Sequence, residues 1–491
     1  MASISIKRVL LGSAAGILAT ATAQAADLPV KKAAAVQYVR VCPAYGAGFF
    51  EVPGTDACVK LIGYLKFGAG YHPSQLAYDG RAAVITEKSS AENVGWQFSA
   101  RPGFDFRVPT EWGTARWVTQ WRIDLRQGLL ERVSPRDPAD ATDQLGANRP
   151  SMQRAYVEWA GFTLGRQGSN FVYFDQDDNT SAAGGSPKTT VFMLSYAAVL
   201  GGGLKATIGL EDSESWAAGN TRNRKTPAGF GIPANTSISA FSPGPSRMYD
   251  VVASLSTEQT WGGAKISGAA HQNSVIATGS NGIDCQYDPA PAVAGSCPVV
   301  INTGWAALAG VTIKLPALGE KDQLLLETSY ADGAIAYAGI GGGGDSRPWS
   351  FERNGQWSGG LLRRDFDAHA INNGDGSFRL ENEKAHSVLG QLRHYWNPNL
   401  RSNLTVANSW IRPGDITRAT LLTNGGLGNA EVFDAALNLI WGSSKKGFGE
   451  IGVEVLYKKV RQDLPGASTL PLGIEQNPSV WSIATAISRT F

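Results

Sequence analysis

Charged and polar residues placed at every second position are the first chemical pattern in this chain of 491 residues. In the stretch 94–108, Gln97, Ser99, Arg101, Asp105 and Arg107 alternate with Trp96, Phe98, Ala100, Phe104 and Phe106. In 114–127, Arg116, Gln120, Arg122, Asp124 and Arg126 alternate with Trp117, Thr119, Trp121, Ile123 and Leu125. Residues two apart share one face of a strand, so each stretch has a charged face and a greasy face. Burying such a charged face in a soluble core is costly. The pattern suits a sheet with lipid on one side and water on the other.

Other chemistry is absent from the sequence. It contains no G-x-S-x-G, no H-E-x-x-H and no Walker A pattern, and His72, His271, His369, His386 and His394 are scattered. The chain is therefore read as a non-enzyme with no cofactor and no metal. Four cysteines allow three pairings, and proximity favours Cys42 with Cys58 and Cys285 with Cys297 as disulfides of an oxidising compartment. A metal site would be the alternative, but no C-x-x-C or nearby histidine supports it. The 44 basic residues balance 42 acidic ones, which gives no reason to expect nucleic acid as a partner.

The elements that carry the alternation repeat along the whole chain. Sixteen strands are expected at about 59–71, 94–108, 114–127, 151–160, 162–168, 189–199, 203–211, 247–258, 263–273, 303–314, 323–331, 384–396, 401–411, 430–441, 448–458 and 479–491. Short turns alternate with long gaps at 72–93, 128–150, 169–188, 212–246, 274–302, 332–383, 412–429 and 459–478. An even strand number, short periplasmic turns and long extracellular loops are the pattern of an outer-membrane barrel. Trp112, Trp159, Trp261, Trp396 and Trp441 fall at one end of the expected strands and Trp96, Trp305, Trp410 and Trp481 at the other, as two interfacial girdles would require. No long stretch of the chain repeats apolar residues at helical spacing, and mean hydropathy is −0.14, which fits a barrel better than a bundle of membrane helices. An all-β, transmembrane, antiparallel barrel of sixteen strands follows, closed because lipid cannot satisfy an open edge. Its lumen is too wide for side chains to fill, so water is expected inside.

Both ends agree with export to the outer membrane. Lys7 and Arg8 precede the apolar run Val9 to Ala23, and Ala23-Gln24-Ala25 fits a small-x-small cleavage site. The expected division is a Sec signal peptide over 1–25, a periplasmic extension with a local disulfide over 26–58, and the barrel over 59–491. The last strand alternates Trp481, Ile483, Ile487 and Phe491 with small polar residues, and an aromatic terminal residue is the signal that the barrel-assembly machinery recognises.

Several blocks carry a family resemblance. They are Y-V-R-V-C-P-A-Y-G-A-G-F-F from Tyr38, P-G-T-D-A-C from Pro53, R-A-Y-V-E-W-A-G-F-T-L-G-R from Arg154 to Arg166, the leader core L-L-G-S-A-A-G, and the terminal S-R-T-F. Together they resemble the general porins of alphaproteobacteria, of the rhizobial and Brucella type. The resemblance implies a homotrimeric outer-membrane porin for passive diffusion of small hydrophilic solutes and ions, in contact with outer-membrane lipid and lipopolysaccharide. It also implies that the third loop, about Gly168 to Lys188, folds into the barrel as a constriction. Asp175, Asp177 and Asp178 would then face a basic wall of Arg101, Arg107, Arg116, Arg122, Arg126, Arg154 and Arg166, or else cap turns and meet solvent. Related porins further suggest Ala26, at the mature start, as an attachment point to peptidoglycan, a free periplasmic arm being the other reading. The rival function is a sugar-type selective channel lined by Tyr64, Tyr156 and Tyr173. Loops 212–246 and 332–383 have no counterpart in the resemblance.

Overall fold

The structure, a computed structural model, describes residues 40–71, 94–128, 150–174, 186–187, 190–213, 241–244, 247–277, 299–340, 367–373, 375, 377–423, 428–443, 446–463 and 479–491. Ala26, Asp175, Asp177, Asp178, Cys285 and Cys297 lie outside the described residues. The unit from Cys42 to Phe491 contains every element discussed below.

Its strands in chain order are β1 (Phe50–Glu51), β2 (Cys58–Ile62), β3 (Tyr64–Tyr71), β4 (Val94–Ala100), β5 (Gly103–Thr110), β6 (Gly113–Gly128), β7 (Ser151–Trp159), β8 (Phe162–Gly168), β9 (Thr190–Gly201), β10 (Leu204–Glu211) and β11 (Phe241–Pro243). They continue as β12 (Asp250–Gln259), β13 (Gly262–Ala277), β14 (Val299–Lys314), β15 (Gln323–Asp332), β16 (Ala368–Asn372), β17 (Phe378–Asn382), β18 (Lys384–Asn397), β19 (Leu400–Arg412), β20 (Ala430–Ser443), β21 (Lys446–Gln462) and β22 (Ser479–Thr490). A helix, α1, spans Asp415–Thr423.

Each barrel strand pairs antiparallel with the next, and β22 returns to pair with β3. Taking β2 with β3 and β4 with β5 as single staves, the described residues form a closed barrel of sixteen staves. The two double staves are broken where their ladder is weakest. Pro102 has no N–H to give, so pairing stops at Ile62↔Gly103 and resumes at Leu65↔Ala100. Gly63 fills the gap at φ 145°, where an added Cβ would sit 2.1 Å from the Arg101 carbonyl oxygen. The terminal residue closes this break. Phe491 N–H donates to Gly63 O at 2.9 Å, and Gly63 N–H donates to Phe491 O at 3.0 Å.

The alternation sorts as expected. Leu65, Phe67, Trp96, Phe98, Trp117, Leu125, Leu164, Ile266, Leu326, Leu437, Trp481 and Ile483 are all exposed on the outer face. Ser99, Asp105, Asp124, Glu211, His271, Asn273, Glu327, Gln391 and Asn403 take the alternate positions inside. The tryptophans at the short turns stand exposed, and Trp159 Nε1 donates to Thr110 Oγ1 across neighbouring turns. Turn chemistry is local. Ala160 and Gly161 both take positive φ, 50° and 85°, in the two-residue turn between β7 and β8.

The long loops hold more structure than the sequence pattern suggests. Part of 212–246 adds β11 to the edge of β13. The gap 332–383 holds a 3₁₀ turn at Ile335–Ala338 and the hairpin β16–β17. The gap 412–429 holds α1, whose first-turn amides at Ile416 and Thr417 donate to the Glu381 carboxylate of β17. A helix of nine residues in a loop is too short to produce a long periodic signal.

Closure of the barrel gives a direct test. Phe67 and Ile487 are direct cross-strand partners on the outer face of β3 and β22, and opposed antiparallel residues stand within disulfide reach. A Phe67→Cys/Ile487→Cys variant should cross-link on oxidation. In non-reducing gels the denatured chain should then migrate faster than either single variant. Identical mobility of all three would rule out the β22–β3 seam.

Candidate functional site

The inner wall at β5, β6 and β7 is a ladder of alternating charge. Arg107 donates from Nε and Nη2 to the two carboxylate oxygens of Asp105, at 3.1 and 3.0 Å. Arg116 also donates to Asp105 from Nε, and to Glu158 Oε2 from Nη1 at 2.8 Å. Arg122 Nε donates to Asp124, which also accepts from Ser99 Oγ at 2.7 Å. Arg101 lies over the Tyr64 ring at 5.0 Å, and Arg154 stands exposed on the inward row that includes Tyr156 and Glu158. Arg126 is in β6, its side chain outside the described residues. The wall is therefore not purely basic. Five inward arginines, at 101, 107, 116, 122 and 154, share the row with the acids Asp105, Asp124 and Glu158. The sequence shows Asp105 and Asp124 in these rows, but not that each is clamped by an arginine on its own or a neighbouring strand.

Arg166 is a correction. It pairs with Phe192 in β9 and shares its face with Phe162 and Leu164, all of them exposed apolar residues, and its guanidinium lies 5.5 Å from the Phe192 ring. Counting by twos from Phe162 puts it on the outer face, and its Nη2 donates to Thr190 Oγ1 at 3.1 Å. It is not part of the inner wall.

The described part of the third loop runs inward from the end of β8. Ser169 Oγ and the Asn170 amide donate to the two oxygens of Glu211, at 2.6 and 2.8 Å, and the Phe171 amide donates to Ser169 Oγ at 3.0 Å. Lys265 Nζ of β13 donates to the Val172 carbonyl at 2.7 Å. The Tyr173 hydroxyl donates to Gly263 O at 2.9 Å and sits 2.8 Å from Thr312 Oγ1, whose proton it can accept. Its ring occupies the space left by Gly310, where an added Cβ would come 2.1 Å from Tyr173 Cδ1. Phe174 packs against Leu325, Leu389 and Ala407 of β15, β18 and β19. The segment thus rests on the inner wall at β13 to β19. In the closed order β6 is the third stave and β15 the eleventh of sixteen, so this seat stands across the barrel from the charge ladder. Arg107 and Arg116 of the ladder, and the Tyr173 hydroxyl at Gly263, lie within a few residues of the short turns.

A second structure bears on the ladder from the periplasmic end. The Cys42–Cys58 disulfide closes a loop of sixteen-residue separation that carries a 3₁₀ turn at Pro43–Tyr45 and β1, which pairs with β2. Phe49, 3% exposed, lies 4.5 Å from the Arg107 guanidinium, and Tyr45 lies 5.7 Å from it.

The Tyr173 seat predicts a graded response. Tyr173→Phe should loosen the third loop by about 1 kcal/mol, the net worth of one hydrogen bond. Gly310→Val should evict the ring altogether. Limited proteolysis of the folded protein should cut within 168–188 sooner in both variants, and soonest in Gly310→Val. Cleavage rates equal to those of the unaltered chain would disprove the seat.

Comparison with known proteins fits this geometry. The profile of the Porin subfamily matches residues 27–421. Porin Omp2a of Brucella ovis is 34% identical over 225 residues, which is 42% of this chain and 60% of that protein's length. Porin Omp2b of Brucella suis is 33% identical over 282 residues, 56% of this chain and 68% of its own length. Among solved structures, the outer membrane channel DcaP of Acinetobacter baumannii superposes with a TM-score of 0.55 at 15% identity, covering 90% of this chain and 99% of that one, a likeness of fold. With sixteen antiparallel staves, an apolar outer face and this match over most of its length, the chain is a protein of the Gram-negative outer membrane and belongs to the Porin subfamily.

Proposed function

We propose that the chain forms a water-filled channel for passive diffusion of small hydrophilic solutes and ions, narrowed by the third loop. The observation that carries this is the seat of Phe171 to Phe174 on the inner wall opposite the arginine–carboxylate ladder. Charges held on a rigid wall across from a loop sort ions by sign and solutes by size without binding them tightly. The carboxylates Asp175, Asp177 and Asp178 would continue the loop into the passage from its seat. In the same reading three copies associate in the membrane, and the outer faces meet lipid and lipopolysaccharide. The mature protein would consist of the arm 26–58 and the barrel 59–491, after loss of 1–25.

The relatives are porins rather than enzymes, which agrees with the absence of a catalytic motif. The sugar-selective alternative draws less support. A slide for sugar rings needs free aromatic faces. Tyr64 is covered by Arg101, Tyr156 is 8% exposed beneath Arg116, and Tyr173 is held on the wall.

Planar-bilayer recording tests the proposal. The unaltered protein should give large conductance steps, grouped in threes, with mild selectivity in a salt gradient. Arg116→Gln leaves Asp105 and Glu158 less compensated, so its zero-current potential should move toward cations at similar conductance. The channel reading fails if the unaltered protein shows no steps. The assignment of the ladder to the ion path fails if the protein conducts but Arg116→Gln leaves the potential unchanged.

A further inference from the structure

The longest described burial in the barrel belongs to a segment outside the third loop. Ala334, Ile335, Tyr337, Ala338 and Ile340 are 0% exposed and Ala336 is 1% exposed, although they follow the extracellular end of β15. They pack in one cluster with Val191, Met193, Val252, Ala269, Ala306, Leu308 and Ala331, which lie on inward faces of β9 and β12 to β15. Tyr337 meets Phe171 of the third loop edge to face at 4.7 Å. Gly339, at φ 75°, passes so close to Ser186 that an added Cβ would lie 3.0 Å from its backbone. The two loops therefore form one packed body.

This apolar segment lies over buried charge. Asp250, 0% exposed, accepts from the Tyr337 hydroxyl at 2.7 Å and lies 2.8 Å from His271 Nδ1. The other nitrogen of His271 lies 3.8 Å from Asp367, whose Oδ1 accepts from the Ile335 amide at 2.7 Å. Asn273 Nδ2 holds the Gly333 carbonyl at 2.8 Å. Glu211, which caps the third loop, is also 0% exposed. Asp250, His271 and Asp367 thus lie beneath the eight residues 333–340, while Glu211 is buried beneath the third loop that packs against them.

We infer that the segment 333–340 is a second constriction element, resting on the channel reading above, and that it sets ion selectivity by sequestering Asp250 and Asp367. Tyr337 is its positioning residue, since one hydroxyl ties the segment to β12 and one ring ties it to the third loop. Opening the segment widens the passage and bares an acidic surface, so conductance and selectivity change together. A purely structural loop would move neither quantity in this coupled way.

The test is bilayer recording on the full chain with Tyr337→Ala, after a heat-modifiable gel shift confirms a folded barrel. The expected result is a larger unitary step together with a zero-current potential displaced toward cations, and adding Asp250→Asn should reverse part of that displacement while the larger step remains. Unchanged step and potential in a folded variant overturn the inference. A larger step without displacement overturns the sequestration. If Tyr337→Ala does not fold, Tyr337→Phe removes only the hydroxyl and should show brief larger openings with the same cation bias, and its indistinguishability from the unaltered channel overturns the inference equally. A silent unaltered protein instead fails the channel reading itself.

Discussion

Lipid offers a backbone amide no hydrogen bond, and the pairing of β22 with β3 is the answer to that constraint on which the remaining structure depends. Once the sheet is closed, each strand has one face committed to hydrocarbon and one to the enclosed space. Every inward position then becomes available for chemistry. The cost of a charge in lipid keeps the two rows from exchanging, because a slip of one residue would place Arg116 and Asp105 outside and Trp117 and Phe104 inside. Register, closure and the charge ladder are in this sense a single property.

The enclosed space is too wide for wall side chains to fill, and loops partly occupy it. They are held by specific contacts. Glu211 caps the third loop, Lys265 and Gly263 receive its carbonyl and hydroxyl, and Gly310 leaves a hollow for its ring. The segment after β15 is held by Asp250 and Asp367 in the same manner. Buried polar groups that are fully partnered fix a geometry more sharply than apolar packing alone. An inward loop here is a rigid part of the wall.

Much of the barrel was legible in the sequence because its determinants are local. Period-two alternation marked the strands, and their expected bounds differ from the observed ones by a few residues. Trp112 and Trp261 marked the turns. The break at Pro102 escaped notice because it requires knowing which strand lies alongside. The inward arginines were legible wherever neighbouring apolar residues established parity. Arg166 was misplaced although Phe162 and Leu164 carried the same parity signal. The loop contents were not legible. Nothing local in Ile335 to Ile340 reveals that Asp250 and His271, far off in sequence, lie beneath them. Asp250 and His271 belong to alternating strands like any others. Only the topology brings them under Tyr337.

The stacking of Phe49 on Arg107 links two compartments of chemistry. Arg107 is gripped by Asp105 on one side and by the rings of the Cys42–Cys58 loop on the other. That loop acquires its covalent tie only where thiols are oxidised, outside the cytoplasm. A charge near the periplasmic end of the barrel is therefore set in place by an event of maturation at that same end. The electrostatics of this barrel are completed by the compartment that receives it, and a chain that folded where its thiols stayed reduced would line its lumen differently.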